Sequence, residues 1–236
     1  MARDSCSTQE VNAEESSVPP SFATRRAVLL AVAALAAYHN TFLVPFVLDD
    51  GGAITENATI RHLWPLGGTL FPPSGGVTVS GRPVANFSLA VNYAISGDEV
   101  WSYHALNLLI HILAGLTLFG IVRRTLADVG RHRRMPPVRS LAGFGDPALQ
   151  SDATFIAFTV ALLWTLHPLQ TEAVTYVIQR TESLLGLFFL LTLYCFLRAV
   201  SSPRPWPWRV LTVLACLGGV STKEVAANRA AAGIPV

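Results

Sequence analysis

Two adjacent carboxylates, Asp49 and Asp50, follow directly after an apolar run that begins at Ala27. Acidic side chains at the mouth of a membrane helix are costly unless they bind a partner or carry out a function. A carboxylate in this position can accept the proton of a hydroxyl group during a transfer reaction. It can also end the helix and solvate its last turn, and the spacing alone favours that simpler interpretation.

Further charged and polar residues recur where later apolar runs end. Arginine and lysine supply the fixed charge that a phosphate leaving group needs, and acids accept protons or bind polar groups. A membrane face with both kinds of residue suits transfer from a lipid-linked phosphate. An ion pathway, or salt-bridged helix ends, would use the same residue types. The residues concerned are Asp49, Asp50, Arg82, His167, Glu172, Arg180, Glu182, Lys223 and Glu224.

The composition is that of a polytopic membrane protein. Of the 236 residues, 51% are hydrophobic and 14% are charged, whereas a soluble domain has about 25% charged residues. The mean hydropathy is +0.44, while the net charge of +2 and the isoelectric point near 8.6 say little by themselves. The three cysteines have no metal-ligand spacing and indicate no disulfide framework.

Five apolar runs are predicted to span the membrane, because about 20 apolar residues cross a bilayer. They cover residues 27–48, 101–122, 153–166, 183–200 and 210–220. The last run needs tilt or packing to cross. Arginines cluster before the first span, after the second and after the fourth, which predicts a cytoplasmic N-terminus. The loops with Asp49, His167, Arg180 and Lys223 then share the opposite side, and an arginine cluster between two spans is not expected to bind nucleic acid.

The chain is expected to divide into three parts. Residues 1–24 are polar and lack apolar periodicity, which predicts a disordered cytoplasmic tail. Residues 25–226 form an all-α membrane helix bundle, and residues 227–236 form an unpatterned C-terminal end. Between the first two spans, Pro83 begins a short run with apolar residues at helical spacing, which predicts an amphipathic helix on the membrane surface.

A polar stripe marks the second span. His104, Asn107 and His111 share one helical face, because residues three and four apart are neighbours on a helix. Such a stripe faces the bundle or a water-filled cavity, and either a functional role or hydrogen bonding between helices would explain it. Two sequons, at Asn57 and Asn86, lie on the predicted outer side and are candidates for glycosylation if the source is eukaryotic, although Asn86 is expected to lie too near the membrane.

Six segments, read in order, resemble one family. They are residues 46–50, 82–84, 103–111, 166–174, 179–185 and 221–224. The string His-Pro-Leu-Gln-Thr-Glu-Ala-Val at 167–174 is the most specific of them, whereas the two adjacent aspartates alone are a weak signal. Together they are similar to the membrane domain of the transmembrane and tetratricopeptide-repeat-containing O-mannosyltransferases and their bacterial relatives, from about residue 27 to about residue 226.

The resemblance implies a partial GT-C fold and a membrane glycosyltransferase. Such an enzyme moves a sugar, here expected to be mannose, from a polyprenyl or dolichyl phosphate to a hydroxyl such as protein Ser or Thr. The implied surroundings are membrane lipid, in the bacterial inner membrane or the endoplasmic reticulum membrane. Neither a metal nor another cofactor is expected, because the lipid-linked sugar phosphate is itself the donor substrate.

The resemblance also implies roles for residues. Asp49 and Asp50 correspond to the acidic motif, and one of them is expected to be the catalytic base. The residues expected to bind the substrate or the donor phosphate are Arg82, His167, Glu172, Arg180, Glu182, Lys223 and Glu224, with Glu224 as a partner of Lys223.

The chain also departs from the family pattern. No repeat of about 34 residues fits into it, so we expect a fragment or a truncated gene product. The rival hypothesis from another class is a non-catalytic membrane scaffold, such as a degenerate paralogue. A transporter is a third hypothesis, but it predicts ionisable residues near the bilayer midplane rather than at helix ends.

Overall fold

The computed structural model describes residues 22–70, 79–133 and 147–222, and within these ranges all side chains except those of 130–133 and 147–151. Every regular element in the described ranges is helical, which confirms the predicted all-α fold for this part of the chain. Single helical turns at His39–Leu43, Gly51–Thr55, Ala58–Ile60, Pro168–Gln170 and Val177–Gln179 join the longer elements. The helices are α1 (Phe22–Tyr38), α2 (Leu66–Leu70), α3 (Pro83–Ser96), α4 (Val100–Arg133), α5 (Pro147–Thr165), α6 (Thr171–Thr175), α7 (Arg180–Ser201) and α8 (Trp206–Val220).

Three segments of the described chain are long and apolar enough to cross a membrane. They are Phe22–Leu43, Val100–Val129 and Val177–Ser201. A fourth arises if α5 and the following helical segment count as one span, because Asp152–Thr165 and Pro168–Thr175 are bent by 54° at a short break. Helix α8 has 15 residues and rises about 22 Å, less than the roughly 30 Å of hydrocarbon. The structure therefore supports three or four of the five predicted spans.

The first helix ends earlier than predicted. The apolar run was expected to continue to Leu48, but α1 ends at Tyr38 and the chain forms one tighter turn to Leu43. Pro45 explains the break, because the residue before a proline is pushed out of helical geometry, and Val44 is extended. The acidic pair therefore lies in an irregular segment beyond the helix rather than on its last turn.

Helix α4 lies at the centre of the bundle. It packs against α1, α5 and α7, and α8 packs against α7. Small residues allow close approach between such helices: a Cβ atom on Gly115 would lie 2.5 Å from Oγ1 of Thr165, and one on Gly218 would lie 2.7 Å from the Phe188 ring. Large apolar side chains on the outer faces are exposed, as expected of a lipid-facing surface; they include Leu29, Val32, Leu163, Phe189, Phe196 and Leu214.

The helices separate two polar regions. Along α4, Asn107 and Arg124 are separated by a rise of about 25 Å, comparable to the thickness of the hydrocarbon core. We name one region the acidic end, defined by Asp49, Asp50, Asn107, Tyr176 and Arg180. We name the other the arginine end, defined by Arg123, Arg124 and Arg198.

The predicted amphipathic helix is present, and its buried face includes two asparagine side chains. Helix α3 begins at Pro83 and is followed by Gly97 with φ of 60°, a left-handed conformation that glycine adopts without a steric penalty. Asn86 and Asn92 are buried, whereas Phe87 and Ile95 are exposed. The asparagines face the protein because they hydrogen-bond other segments there. The exposed apolar residues are available for the predicted contact with the membrane surface, which stays a prediction.

The sequon asparagines are inaccessible in this fold. Nδ2 of Asn57 donates to the carbonyl oxygen of Ala53 at 2.9 Å and to Oδ1 of Asn86 at 3.0 Å. Nδ2 of Asn86 donates to the carbonyl oxygen of Thr69 at 2.7 Å. Both side chains are completely buried, so neither amide nitrogen is accessible for glycosylation in the folded chain.

Candidate active site

Asp50 is a buried anchor. Its side chain is 1% exposed; Oδ1 accepts a hydrogen bond from the backbone N–H of Ile178 at 2.9 Å, and Oδ2 accepts one from Val47 at 3.2 Å. Burial raises the pKa of Asp50 above its ordinary value of 3.8, although the two N–H groups favour the ionised form. The carboxylate therefore joins the segment after α1 to the turn before α7.

Asp49 has the opposite environment. Its side chain is exposed, while its backbone N–H donates to the hydroxyl of Tyr176 at 3.2 Å and its carbonyl oxygen accepts from Ala53 at 3.0 Å. The preceding residue, Leu48, has a φ of 48°, which is unusual for a residue other than glycine. The backbone of Asp49 is thus held on both sides, and its carboxylate is exposed.

Arg180 is buried among neutral acceptors. It is 1% exposed, and its Nε donates to Oδ1 of Asn107 at 2.7 Å. One terminal nitrogen donates to Oδ1 of Asn92 at 2.6 Å and to Oγ of Ser88 at 3.4 Å, and the other donates to the carbonyl oxygen of Tyr103 at 2.8 Å. The planar guanidinium therefore joins α3, α4 and α7 at one point.

Asn107 connects this network to the turn that holds Asp50. Its Nδ2 donates to the carbonyl oxygens of Val174 and Tyr176, both at 3.3 Å, while its Oδ1 accepts from Arg180. Because Ile178 in the same turn donates to Asp50, Arg180 and Asn107 set the backbone geometry on which the acidic pair depends.

The two histidines of α4 bind backbone carbonyls. Nε2 of His104 donates to the carbonyl oxygen of Val44, and Nε2 of His111 donates to that of Thr165, both at 2.9 Å. The Tyr38 hydroxyl donates to the same Thr165 oxygen at 3.0 Å. Of the two roles left open for the polar stripe, the structure shows hydrogen bonding between segments for all three side chains.

The other predicted residues are less buried. His167 is exposed, and its Nδ1 accepts from the backbone N–H of Leu169 at 3.2 Å, which caps the following turn. Glu172 is exposed and accepts from Nε2 of Gln179 at 3.1 Å. Glu182 is exposed on the first turn of α7.

Arg82 lies beside the end of α8. It immediately precedes α3, and the backbone N–H of nearby Val84 donates to the carbonyl oxygen of Ser221 at 3.4 Å. Nε of Arg82 is buried and has no hydrogen-bond partner among the described residues. Lys223 and Glu224 follow Thr222 in sequence and lie outside the described residues.

The structure brings only part of the predicted set into direct contact. Asp49 and Asp50 meet the Tyr176–Ile178 turn, which leads directly into Arg180. Tyr176 and Asn92 were not singled out from the sequence, although an asparagine on an otherwise apolar helix is a usable signal for a buried polar contact. Within the described ranges, no three His, Cys, Asp or Glu side chains converge in a way that would hold a metal ion.

Comparison with known proteins gives relatives of one kind. The chain is 32% identical to protein O-mannosyl-transferase TMTC2 of Mus musculus over 196 residues, 78% of this chain and 20% of the relative. It is 32% identical to TMTC2 of Homo sapiens over 187 residues, 74% of this chain and 19% of the relative. With Tmtc3 of Drosophila melanogaster it shares 29% identity over 202 residues, 80% of this chain and 21% of the relative.

No family model matches the chain, and no solved structure matches it. The chain spans about a fifth of the length of the curated relatives. The matched region covers 74–80% of this chain. The predicted family resemblance is confirmed: over this region the chain is a relative of the TMTC protein O-mannosyl-transferases.

Proposed function

We propose that the chain functions as a membrane glycosyltransferase, which transfers mannose from a polyprenyl or dolichyl phosphate to a Ser or Thr hydroxyl of an acceptor protein. Its relatives are protein O-mannosyl-transferases, which supports the reaction class. The observation that carries the proposal is the division of the acidic pair: Asp50 is fixed in the fold, and Asp49 beside it is exposed.

Asp49 is the proposed catalytic base. Its carboxylate accepts the proton of the acceptor hydroxyl while the hydroxyl oxygen attacks the anomeric carbon of the sugar. The bond from that carbon to the phosphate oxygen breaks, and the lipid phosphate leaves with the electron pair. Asp50 holds the backbone of this segment through Val47 and Ile178 and thereby fixes the position of Asp49. Precise positioning matters because a displacement of about 1 Å can lower the rate by about a hundredfold.

The donor phosphate is proposed to lie near Arg82, with His167, Glu172, Glu182, Lys223 and Glu224 as further binding residues at the same membrane side. Arg82 supports this role because its Nε is buried without a hydrogen-bond partner among the described residues. Arg180 takes a different role. Its buried donors are used by Asn107, Asn92 and Tyr103, so we assign it as a positioning residue for the Tyr176–Ile178 turn.

The direct test is transfer in proteoliposomes. The 236-residue chain is reconstituted with radiolabelled polyprenyl-phosphate mannose and Ser/Thr peptides, and mannosylated peptide is counted. We expect Asp49→Asn to lower turnover by about 10²-fold or more, because a positioned base contributes that much. Glu56→Gln is the matched control, since Glu56 is an exposed carboxylate of the same segment and should keep wild-type turnover.

Three outcomes would contradict the proposal or a part of it. Equal turnover in Asp49→Asn and wild type would remove the catalytic assignment. Absence of transfer by a correctly inserted wild-type chain would favour the non-catalytic scaffold. Transfer from a nucleotide sugar, but not from the lipid-linked donor, would refute the proposed donor alone.

A further inference from the structure

A polar cavity lies at the arginine end, far from the proposed reaction site. Its volume is about 390 Å³, and its wall is formed by residues from α4, the N-terminal half of α5, the end of α7 and the α7–α8 connection. Three arginines and one aspartate contribute charge to this wall. They are Arg123, Arg124, Arg198 and Asp128.

The arginines are held in place without losing their charge. The Arg124 guanidinium lies 5.5 Å from the Tyr194 ring centroid, and that of Arg198 lies 4.3 Å from the Trp208 ring centroid. Such cation–π contacts orient a guanidinium but provide no counter-ion. Two cations therefore face the same cavity from neighbouring helices in fixed positions.

Hydrogen-bond donors remain unused at this cavity. Nε of Arg124 and Nε of Arg198 are buried and have no hydrogen-bond partner among the described residues. The lining hydroxyls of Ser201 and Ser202 instead donate to the backbone carbonyls of Leu197 and Arg204. Because the wall carries three arginines and one aspartate, a ligand with negatively charged oxygen acceptors complements it, and the guanidinium group matches a phosphate in geometry as well as charge.

We propose that this cavity is a binding site for the phosphate group of an anionic ligand, with an anionic phospholipid headgroup and free phosphate as the two sources. Basic pockets between membrane helices have the chemistry that anionic headgroups need. The site is distinct from the proposed donor site, because Arg198 and Arg180 are separated by a rise of about 27 Å along α7.

Isothermal titration of the detergent-solubilised 236-residue chain tests the proposal with three probes: short-chain phosphatidic acid, short-chain phosphatidylcholine and inorganic phosphate. Phosphatidic acid should bind at least about tenfold more tightly than phosphatidylcholine, since each arginine near such a surface contributes about 1 kcal/mol. Tight binding of phosphatidic acid without binding of inorganic phosphate identifies the lipid source. Comparable binding of both identifies a free phosphate site.

The double variant Arg124→Gln/Arg198→Gln should lose this preference. Arg204→Gln is the matched control: Arg204 is exposed in the same connection and does not line the cavity, so its preference should equal that of wild type. Circular dichroism and size exclusion establish that each variant folds. If the double variant misfolds, rising salt must still weaken binding of phosphatidic acid to wild type. Equal binding of phosphatidic acid and phosphatidylcholine by wild type without binding of inorganic phosphate, or undiminished anion binding by the double variant, would overturn the proposal.

Discussion

The two ends of the bundle differ in how completely their buried polar groups are hydrogen-bonded. At the acidic end, Arg180 is completely surrounded by neutral acceptors, and Asp50 is fixed by backbone N–H groups. At the arginine end, Arg124 and Arg198 lie against aromatic rings around an open cavity, with buried Nε atoms that lack partners. A satisfied network fixes geometry, whereas an unsatisfied one has capacity to bind a ligand.

The sharpest form of this comparison uses two arginines of the same helix, α7. Arg180→Met should lower the free energy of unfolding by at least about 3 kcal/mol, because buried acceptors on Asn107, Asn92 and Tyr103 lose a charged donor. Arg198→Met should cost less than about 1 kcal/mol, since that side chain is partly exposed. Unfolding titrations in detergent measure both. Equal losses of unfolding free energy in the two variants would contradict the distinction between a satisfied acidic end and an unsatisfied arginine end.

The adjacent aspartates make the same comparison within two residues. Asp50→Asn should lower the free energy of unfolding by about 1–3 kcal/mol, because an amide offers one acceptor oxygen where Val47 and Ile178 now use two. Asp49→Asn should change it by no more than about 0.5 kcal/mol, since its side chain is exposed. Chemical unfolding of each variant measures these two changes in the free energy of unfolding. A large stability loss in Asp49→Asn would contradict the assignment of anchor and base.

Glycines test the apolar region between the two ends. Gly115→Ala should lower the free energy of unfolding by about 1 kcal/mol, because overpacking against Thr165 outweighs the gain in helix propensity. Gly186→Ala is the matched control: an added methyl there meets nothing within 4 Å and should stabilise by roughly 0.5–1 kcal/mol. Thermal unfolding in detergent compares the pair, and a stabilising Gly115→Ala would show that α4 and α5 are not closely packed.

The smallest expected effect is a pH dependence at the acidic end. Burial raises the folded-state pKa of Asp50 above its ordinary value of 3.8. The Asp50 carboxylate therefore binds a proton more tightly in the folded chain than in the unfolded chain. The contribution of Asp50 protonation to the free energy of unfolding is therefore greatest below pH 3.8 and declines as the pH rises through the folded-state pKa. Asp50→Asn should lack this decline. The stability difference between wild type and variant, measured across pH, should widen towards acid; a constant difference would contradict the shift.

Much of the candidate site could be predicted from the sequence, but the roles of its members could not. The motifs predicted that Asp50 and Arg180 belong together, and Asp50 does contact Ile178 just before Arg180. Arg180 was expected to bind the donor phosphate, yet its side chain turns inward. An arginine next to an apolar run reads the same from the sequence whether it faces solvent or a set of buried acceptors.

The sequence by itself determined the helical class, three or four of the membrane-spanning runs and the family, because hydrophobicity and motif order are properties of the chain alone. Only the tertiary structure decided that Asn86 and Asn92 face inward, that α1 ends ten residues before Leu48, and that the neighbouring aspartates differ in exposure. These outcomes depend on which acceptors distant segments bring within hydrogen-bond distance, and no local pattern records that.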